Sequence, residues 1–181
     1  MRILLLLTSV FGLTGGVHTF NRALIKATDD LASDFDLEVT VFSLLDGEVP
    51  FQAAADYMSS GHTRYRGFKG NKREFAVATL LAGWQANHVL FGHVNFSSLA
   101  CGMPKPIKSL VVHGIDVWRP LPSLQKLGIS QMSEIHSVSE HTQQAFVHFN
   151  GMPPAQFRLL PDTLDPFYSR MANKIRSAKE I

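Results

Sequence analysis

A continuous apolar run near the start of the chain constrains the fold more than any other feature of the sequence. The run extends from Arg2 to Phe11 and ends at the glycines of residues 12–16. A short apolar run bounded by glycines is typical of a strand buried on both faces. Strands of that kind belong to parallel sheets covered by helices, so the run predicts an α/β fold.

The residues after this run complete one βαβ unit. After Gly15 and Gly16, apolar residues recur at helical spacing as far as Leu31, with polar residues between them. Residues Leu37 to Leu45 are rich in β-branched side chains and predict a second strand. Strand, glycine loop, helix and strand predict a parallel pair joined by a right-handed crossover.

The rest of the chain predicts more helices and strands in alternation. The polar, aperiodic segment from Gly47 to Asn71 is interpreted as a long loop or irregular insert. Helices are predicted at 72–86, 97–101, 123–132 and 140–149, the last with Ser139 as its N-cap, and strands at 89–91, 109–112, 135–138 and 157–160. The sum is about six strands in an open, mainly parallel sheet with helices on both faces, a Rossmann-like fold.

Composition excludes several classes of protein. The 181 residues suit one compact domain, predicted over 1–168, with 169–181 as a linker or the start of a missing domain that begins with a polar helix. A single cysteine, Cys101, cannot build a disulfide framework. The formal net charge of +2 does not predict a nucleic-acid partner. No apolar stretch approaches the roughly 20 residues of a membrane span, and no cleavage site follows the opening run, so a cytoplasmic protein is expected.

Polar residues follow two neighbouring strand predictions at the positions where open parallel sheets bind ligands. His93 and Asn95 come after one strand, and His113 and Asp116 come after the next. Ligands in such sheets lie outside the carboxyl ends of the strands, so these four residues are candidates for a binding site. Zinc binding by His93, His113 and Asp116 is disfavoured because the sequence has no short ligand spacing, and no metal is expected.

The glycine loop at residues 12–16 leaves two interpretations open. Backbone N–H groups at the start of the first helix can hold phosphate oxygens, but a tight turn that needs glycine explains the same residues. The loop matches neither the GxGxxG nor the P-loop pattern. Asp46 does not lie at the roughly 20-residue distance expected of a ribose-binding acid, which counts against a dinucleotide-binding oxidoreductase.

Basic and aromatic residues alternate between residues 62 and 73. This pattern can bind an anionic membrane surface or single-stranded nucleic acid, although a solvated loop is the more ordinary interpretation. The residues proposed for peripheral contact with the inner membrane face are Arg64, Arg66, Lys69, Lys72 and Arg73.

Five segments in succession resemble one known family. They are residues 15–22 (GGVHTFNR), 90–95 (LFGHVN), 111–118 (VVHGIDVW), 137–142 (SVSEHT) and 158–165 (RLLPDTLD). Together they resemble the N-terminal domain of the retaining glycosyltransferases of family four, the "glycosyl transferase group one" type. The resemblance runs in register from Met1 to about Phe167, with Asp162 where asparagine is common in the family. A GT-B fold consists of two Rossmann-like domains that face a cleft, and the resemblance implies that this chain is the N-terminal half of such a fold.

The resemblance also implies roles for individual residues. Gly15 and Gly16 would approach the diphosphate and sugar of a nucleotide-sugar donor such as a UDP- or GDP-sugar, and His113 would be the catalytic residue beside the donor sugar. The acceptor side would be lined by His18, His93, Asn95 and Asp116. The implied activity is transfer of a hexose-type sugar, with retention, to a glycan or lipid-linked acceptor, as in polysaccharide biosynthesis, without a cofactor.

The family places nucleotide binding mainly in a C-terminal domain, with a basic pair and a Glu-x7-Glu segment. The 13 residues after Tyr168 are too few for that domain. This chain alone is therefore expected to be inactive and to need that domain as a partner. A non-catalytic binding or assembly module, or a dinucleotide-binding oxidoreductase domain, remains the alternative.

Overall fold

A computed structural model describes residues 1–12, 15–49, 51–151 and 156–168. Seven strands form one sheet in which every neighbouring pair is parallel, in the spatial order β3-β2-β1-β4-β5-β6-β7. The strands are β1 (Arg2–Leu7), β2 (Glu38–Ser43), β3 (Thr63–Gly67), β4 (His88–Phe91), β5 (Ile107–Val112), β6 (Glu134–Ser137) and β7 (Phe157–Leu159). From β1 the chain first adds β2 and β3 on one side and then β4 to β7 on the other, so the strand order reverses between β1 and β4.

Within the described residues, five α-helices and two 3-10 segments lie between the strands. The helices are α1 (Gly16–Phe35), α2 (Phe51–Tyr57), α3 (Lys72–Gln85), α4 (Ser123–Ile129) and α5 (Glu140–Asn150). The 3-10 segments, Val94–Gly102 and Ile115–Val117, follow β4 and β5 directly. In the part of the chain described, no helix is both long enough and apolar enough to cross a membrane.

Strand β1 has the two buried faces that its apolar sequence predicts. Leu4 and Leu6 belong to a core that also contains Phe75 of α3, whereas Leu5 and Leu7 belong to a second core with residues of α1 and α2. All four leucines are almost fully buried. Helices therefore cover both sides of the sheet centre, and the predicted Rossmann-like α/β class is confirmed.

The interpretation of residues 47–71 as a loop or irregular insert is wrong. This segment contains α2 and β3, and β3 raises the strand number from about six to seven. Strand β3 pairs only with β2 and forms an edge of the sheet. Its Arg64 and Arg66 side chains are exposed, while Tyr65 between them is partly buried. An edge strand needs no apolar run, and charged residues on it discourage pairing with other chains, which is why its sequence looked like a loop.

Other element boundaries differ little from the predictions. Strand β1 ends at Leu7 and not at Phe11, because the next residues turn back toward the end of β2. Ser139 caps α5 as predicted, with its hydroxyl accepting a hydrogen bond from the Thr142 amide at 3.1 Å. The predicted linker at 169–181 and its polar helix lie outside the described residues.

Candidate functional site

The candidate site lies at the carboxyl edge of the sheet, on the loops after β1, β4 and β5. These strands are neighbours and flank the point where the strand order reverses. At such a point the loops on either side lead away in opposite directions and leave a crevice. The structure brings His93, His113 and Asp116 together in this region, as the sequence predicts.

His113 follows the last residue of β5 and has one ring nitrogen bonded and one free. Its Nε2 lies 3.0 Å from the carbonyl oxygen of Gly92, which can only accept, so Nε2 carries the proton. The ring packs edge-on against Phe20, with 5.1 Å between ring centroids. Its Nδ1 is buried and has no hydrogen-bond partner among the described residues. Burial lowers the pKa of His113, so at neutral pH Nδ1 is an unprotonated acceptor.

His93 faces Asp116 across the crevice. The Asn95 amide donates to His93 Nδ1 at 3.2 Å, an arrangement that caps the 3-10 segment after β4. His93 Nε2 therefore carries the proton and lies 3.9 Å from Asp116 Oδ2, too far for a hydrogen bond. Burial lowers the pKa of His93. Both groups keep hydrogen-bonding capacity for a ligand that lies beside them, His93 Nε2–H as a donor and Asp116 Oδ2 as an acceptor.

The Asp116 carboxylate is only partly satisfied. Burial raises its pKa, while His113 and nearby backbone N–H groups act in the opposite direction. Asp116 Oδ2 is buried and has no partner among the described residues. Gly114, two residues earlier, has φ +146°, a backbone conformation that residues with a side chain rarely adopt, so the loop needs glycine there. A buried carboxylate oxygen without a donor is an acceptor for a ligand hydroxyl.

The glycine loop after β1 presents an uncapped helix start. Gly15 is the N-cap residue of α1 with φ +156°, and no side chain among the described residues caps the helix. A Cβ at Gly16 would meet no atom of the described residues within 4 Å, so these residues leave the space over the first turn open. His18 in that turn has a buried Nδ1 without a partner in the described structure. Leu13 and Thr14 lie outside the described residues.

Asp46 is a residue whose role the sequence analysis missed. Its carboxylate accepts six hydrogen bonds, from the amides of Val10, Phe11 and Gly12 and the hydroxyls of Ser9, Ser43 and Tyr65. Burial raises its pKa, but these hydrogen bonds outweigh burial and leave the pKa lowered. Asp46 thereby fixes the start of the glycine loop from the end of β2. Its sequence signal is an acid directly after a buried strand.

Arg22 ties the same loop to the end of the described chain. Its guanidinium donates to the carbonyl oxygen of Val10 at 3.0 Å and to Asp165 at 2.8 Å. Asp165 also accepts a hydrogen bond from Tyr57 at 2.8 Å. The 165 region of the chain is therefore held against α1 and α2, close to the glycine loop.

The basic residues and the acceptor-side residues lie on different elements. Arg64 and Arg66 are on β3, Lys69 follows it, and Lys72 and Arg73 begin α3. Arg66 is paired with Glu74 at 2.6 Å. Among the described residues, no group of three histidine, cysteine or acidic side chains is placed to hold a metal ion.

Comparisons with known proteins give a structural match. The chain matches no protein-family model and no curated protein. The structure of Alr3699/HepE from Anabaena in complex with UDP is 13% identical, with a TM-score of 0.59, over 97% of this chain and 50% of that chain. The structure of HepE with UDP and glucose is 15% identical, with a TM-score of 0.55, over the same shares of both chains. This chain thus spans about half the length of the HepE chain, and what the likeness shows is a shared Rossmann-like α/β fold.

Proposed function

We propose that the chain is the acceptor-side, N-terminal domain of a retaining, nucleotide-sugar-dependent glycosyltransferase of the GT-B type. One observation carries the proposal: His18 in the first turn of α1, and His113 and Asp116 after β5, each bury a polar atom that has no hydrogen-bond partner among the described residues. Buried polar atoms are nearly always paired, so three in one region favour a polar ligand. The shared fold with HepE, solved with UDP and with UDP and glucose, supports a nucleotide sugar as that ligand.

The start of α1 is the part of the site that would hold the donor diphosphate. Its first N–H groups lack a side-chain cap and carry the positive end of the helix dipole. No acidic side chain lies in the first turn to compete with an anion. The open space at Gly16 would let the phosphate approach the backbone directly. A UDP-hexose is the first donor to test.

His113 and Asp116 would orient the sugar and the acceptor. Neutral His113 offers Nδ1 as an acceptor for a donor-sugar hydroxyl, with its ring fixed by Gly92. The free Oδ2 of Asp116 would accept a hydrogen bond from the acceptor hydroxyl, beside the N–H of His93. Asn95, exposed beside His93, would add a further polar contact.

The proposed reaction is a same-face substitution at the anomeric carbon. The bond between that carbon and the leaving diphosphate oxygen breaks, and a bond to the acceptor oxygen forms on the same side. The acceptor proton passes to an oxygen of the leaving diphosphate. The residues described here would act by orientation and by stabilising the departing charge, and the proposed step uses no metal or cofactor.

The runner-up, a dinucleotide-binding oxidoreductase, loses its candidate ribose ligand. Asp46, the acid that follows β2, is the residue considered for that role, although it does not lie at the roughly 20-residue distance expected. Here the carboxylate already accepts six hydrogen bonds inside the protein. Its oxygens have little capacity left for a ribose hydroxyl.

Peripheral contact with the inner membrane face remains a second part of the proposal. Exposed apolar residues Val77, Leu81 and Trp84 lie along α3, the helix that begins with Lys72 and Arg73. Basic residues beside exposed apolar ones favour an anionic lipid surface. Co-sedimentation with anionic vesicles should fall when the five basic residues are replaced by serine, and unchanged co-sedimentation would contradict this part.

Donor binding tests the main proposal directly. UDP-glucose, added to the isotope-labelled chain, should shift the amide NMR signals of residues 15–18, 92–95 and 113–116. Equal concentrations of UDP-, GDP- and ADP-hexoses would rank the nucleotides. No shift in these loops with any of the three would contradict the proposal. Transfer of a labelled sugar by this chain alone would contradict the expectation that the domain is inactive by itself.

A further inference from the structure

A cavity of about 420 Å³ opens beside the acceptor-side residues. Its walls come from Thr8 after β1, from Leu44 and Leu45 after β2, from the first turn of α3, and from the 3-10 segment after β4. Asn95 belongs both to the cavity wall and to the capping hydrogen bond of His93. The cavity is therefore next to the place where the acceptor hydroxyl is proposed to bind. Its volume falls within the range of ordinary small-molecule sites.

The lining of this cavity is mainly apolar. Six of its ten lining residues are apolar, namely Leu44, Leu45, Phe75, Ala76, Phe96 and Leu99. Phe75 and Phe96 are buried with ring centroids 4.9 Å apart, so this wall is fixed by core packing. Leu45 is 53% exposed, although it lies at the end of a buried strand. A ligand with an apolar part would cover surface that is now in contact with water.

A single cationic group stands at the edge of the cavity. Lys72 is exposed, and among the described residues no carboxylate lies within 4 Å of its ammonium group. The nearest acid in sequence, Glu74, already bonds Arg66 and Asn71. No acidic residue is among the described residues that line the cavity. The charge of Lys72 is thus available to an anionic group of the ligand.

We propose that this cavity binds an anionic amphiphile, whose apolar part lies against Leu45, Phe75 and Leu99 and whose phosphate or other anionic group lies at Lys72. The proposal rests on the proposed function, and it names the class of acceptor that the transferase would use. The acceptor hydroxyl would then extend past Asn95 toward His93 and Asp116.

Binding of octyl phosphate to the chain, below its micelle concentration, is the test. Octyl glucoside provides the same tail without the charge, and inorganic phosphate provides the charge without the tail. Leu45→Asp should weaken octyl phosphate binding about tenfold, because it removes an apolar contact and adds repulsion. Lys72→Glu should weaken octyl phosphate binding about fivefold and leave octyl glucoside binding unchanged.

Matched controls come from α4 on another part of the surface. Leu127→Asp alters a leucine that is 55% exposed, and Lys126→Glu alters a basic residue in the same helix. Neither should change octyl phosphate binding. All four variants should unfold at nearly the temperature of the parent chain, since the altered leucines are exposed and the lysines lie at the surface.

The outcomes separate this proposal from the proposed function. Equal binding of octyl phosphate to the parent, L45D and K72E chains would overturn the amphiphile proposal, as would equal losses in the α4 controls. The NMR shifts that UDP-glucose should cause in the glycine loop test the proposed function alone and do not depend on these results. Vesicles of phosphatidylglycerol distinguish the source of the ligand. Sedimentation that Leu45→Asp weakens supports a membrane-resident acceptor, because Leu45 lines the cavity and is not one of the five basic residues. Binding of octyl phosphate without sedimentation supports a dispersed acceptor.

Discussion

His113 shows how one side chain can be both fixed and available. Its Nε2–H is bonded to Gly92 and its ring lies against Phe20, while Nδ1 faces no partner among the described residues. We expect His113→Ala to reduce UDP-glucose affinity about tenfold, because a ligand hydroxyl loses its acceptor. The free energy of unfolding should fall by only about 1–2 kcal/mol, since one hydrogen bond to a carbonyl is lost.

Calorimetry and urea unfolding measure these two effects separately. His141→Ala serves as the control, because His141 contacts Trp118 on the loop after β5 and lies outside the proposed donor contacts. A His113→Ala chain that lost several kcal/mol of stability with unchanged donor affinity would identify His113 as a core residue.

Asp46 is the residue on which the shape of the glycine loop depends. Asp46→Asn replaces one acceptor oxygen by an NH2 group that would face N–H or O–H donors, so several hydrogen bonds would break together. We expect the free energy of unfolding to fall by about 2–4 kcal/mol. Asp34→Asn, at an exposed position of α1, should change it by less than about 0.5 kcal/mol. Urea unfolding of both variants measures the difference, and equal stabilities would contradict the assignment.

At this scale the sequence predicted where the candidate site residues lie but not which residues hold them in place. The positions of His93, His113 and Asp116 could be predicted, because polar residues directly after buried strands lie at the edge of a parallel sheet where ligands bind. Asp46 occupies the same kind of position, yet half of its partners are backbone amides and carry no side-chain signal. Arg22 and Asp165 are 143 positions apart, so their ion pair becomes visible only in the folded chain.

At the scale of elements, the start of α1 allows the donor proposal to be tested without disturbing the fold. A Cβ at Gly16 would meet no atom of the described residues within 4 Å, whereas Gly15 has φ +156°. We expect Gly16→Val to leave the free energy of unfolding within about 1 kcal/mol of the parent, a helix-propensity effect. The same change should abolish UDP-glucose binding, because a branched side chain would block approach to the backbone N–H groups.

Gly15→Val provides the matched comparison in the same loop. It should lower stability by about 1–3 kcal/mol, because valine is strained at that backbone conformation. NMR titration with UDP-glucose and thermal unfolding of both variants check the pair. Normal donor binding by the Gly16→Val chain would remove the glycine loop from the donor site.

The sequence predicts a strand well when both faces of the strand are buried, and less well when the strand lies at an edge of the sheet. Strand β1 lies in the middle of the sheet and its leucines face two cores, so its sequence is an apolar run. Strand β3 pairs with β2 on one side, and its Arg64 and Arg66 are exposed to solvent. Its sequence therefore has no apolar run, although it is a strand like β1. Element order and most helix positions followed from periodicity, whereas an edge strand is specified mainly by its partner.

For the whole molecule, burial of several histidines couples folding to pH. Burial lowers the pKa of His88, His93, His113 and His136 below the value near 6.5 of an exposed histidine. Below about pH 6.5 the unfolded chain therefore binds more protons than the folded chain. Stability then rises with pH and is lost on acidification. Asp116 acts in the opposite sense, since its pKa is raised in the folded chain, but it is one group against four.

We therefore expect the free energy of unfolding to fall between pH 7.5 and pH 5.5, by up to about 1.4 kcal/mol per pH unit for each buried histidine that titrates. Urea unfolding at pH 7.5, 6.5 and 5.5 measures the slope. His88 and His136 lie on neighbouring parts of the sheet away from the candidate site, and the double variant H88Q/H136Q should reduce the slope. A stability that is constant or higher at pH 5.5 would mean that these histidines accept protons in the folded chain as readily as in the unfolded one.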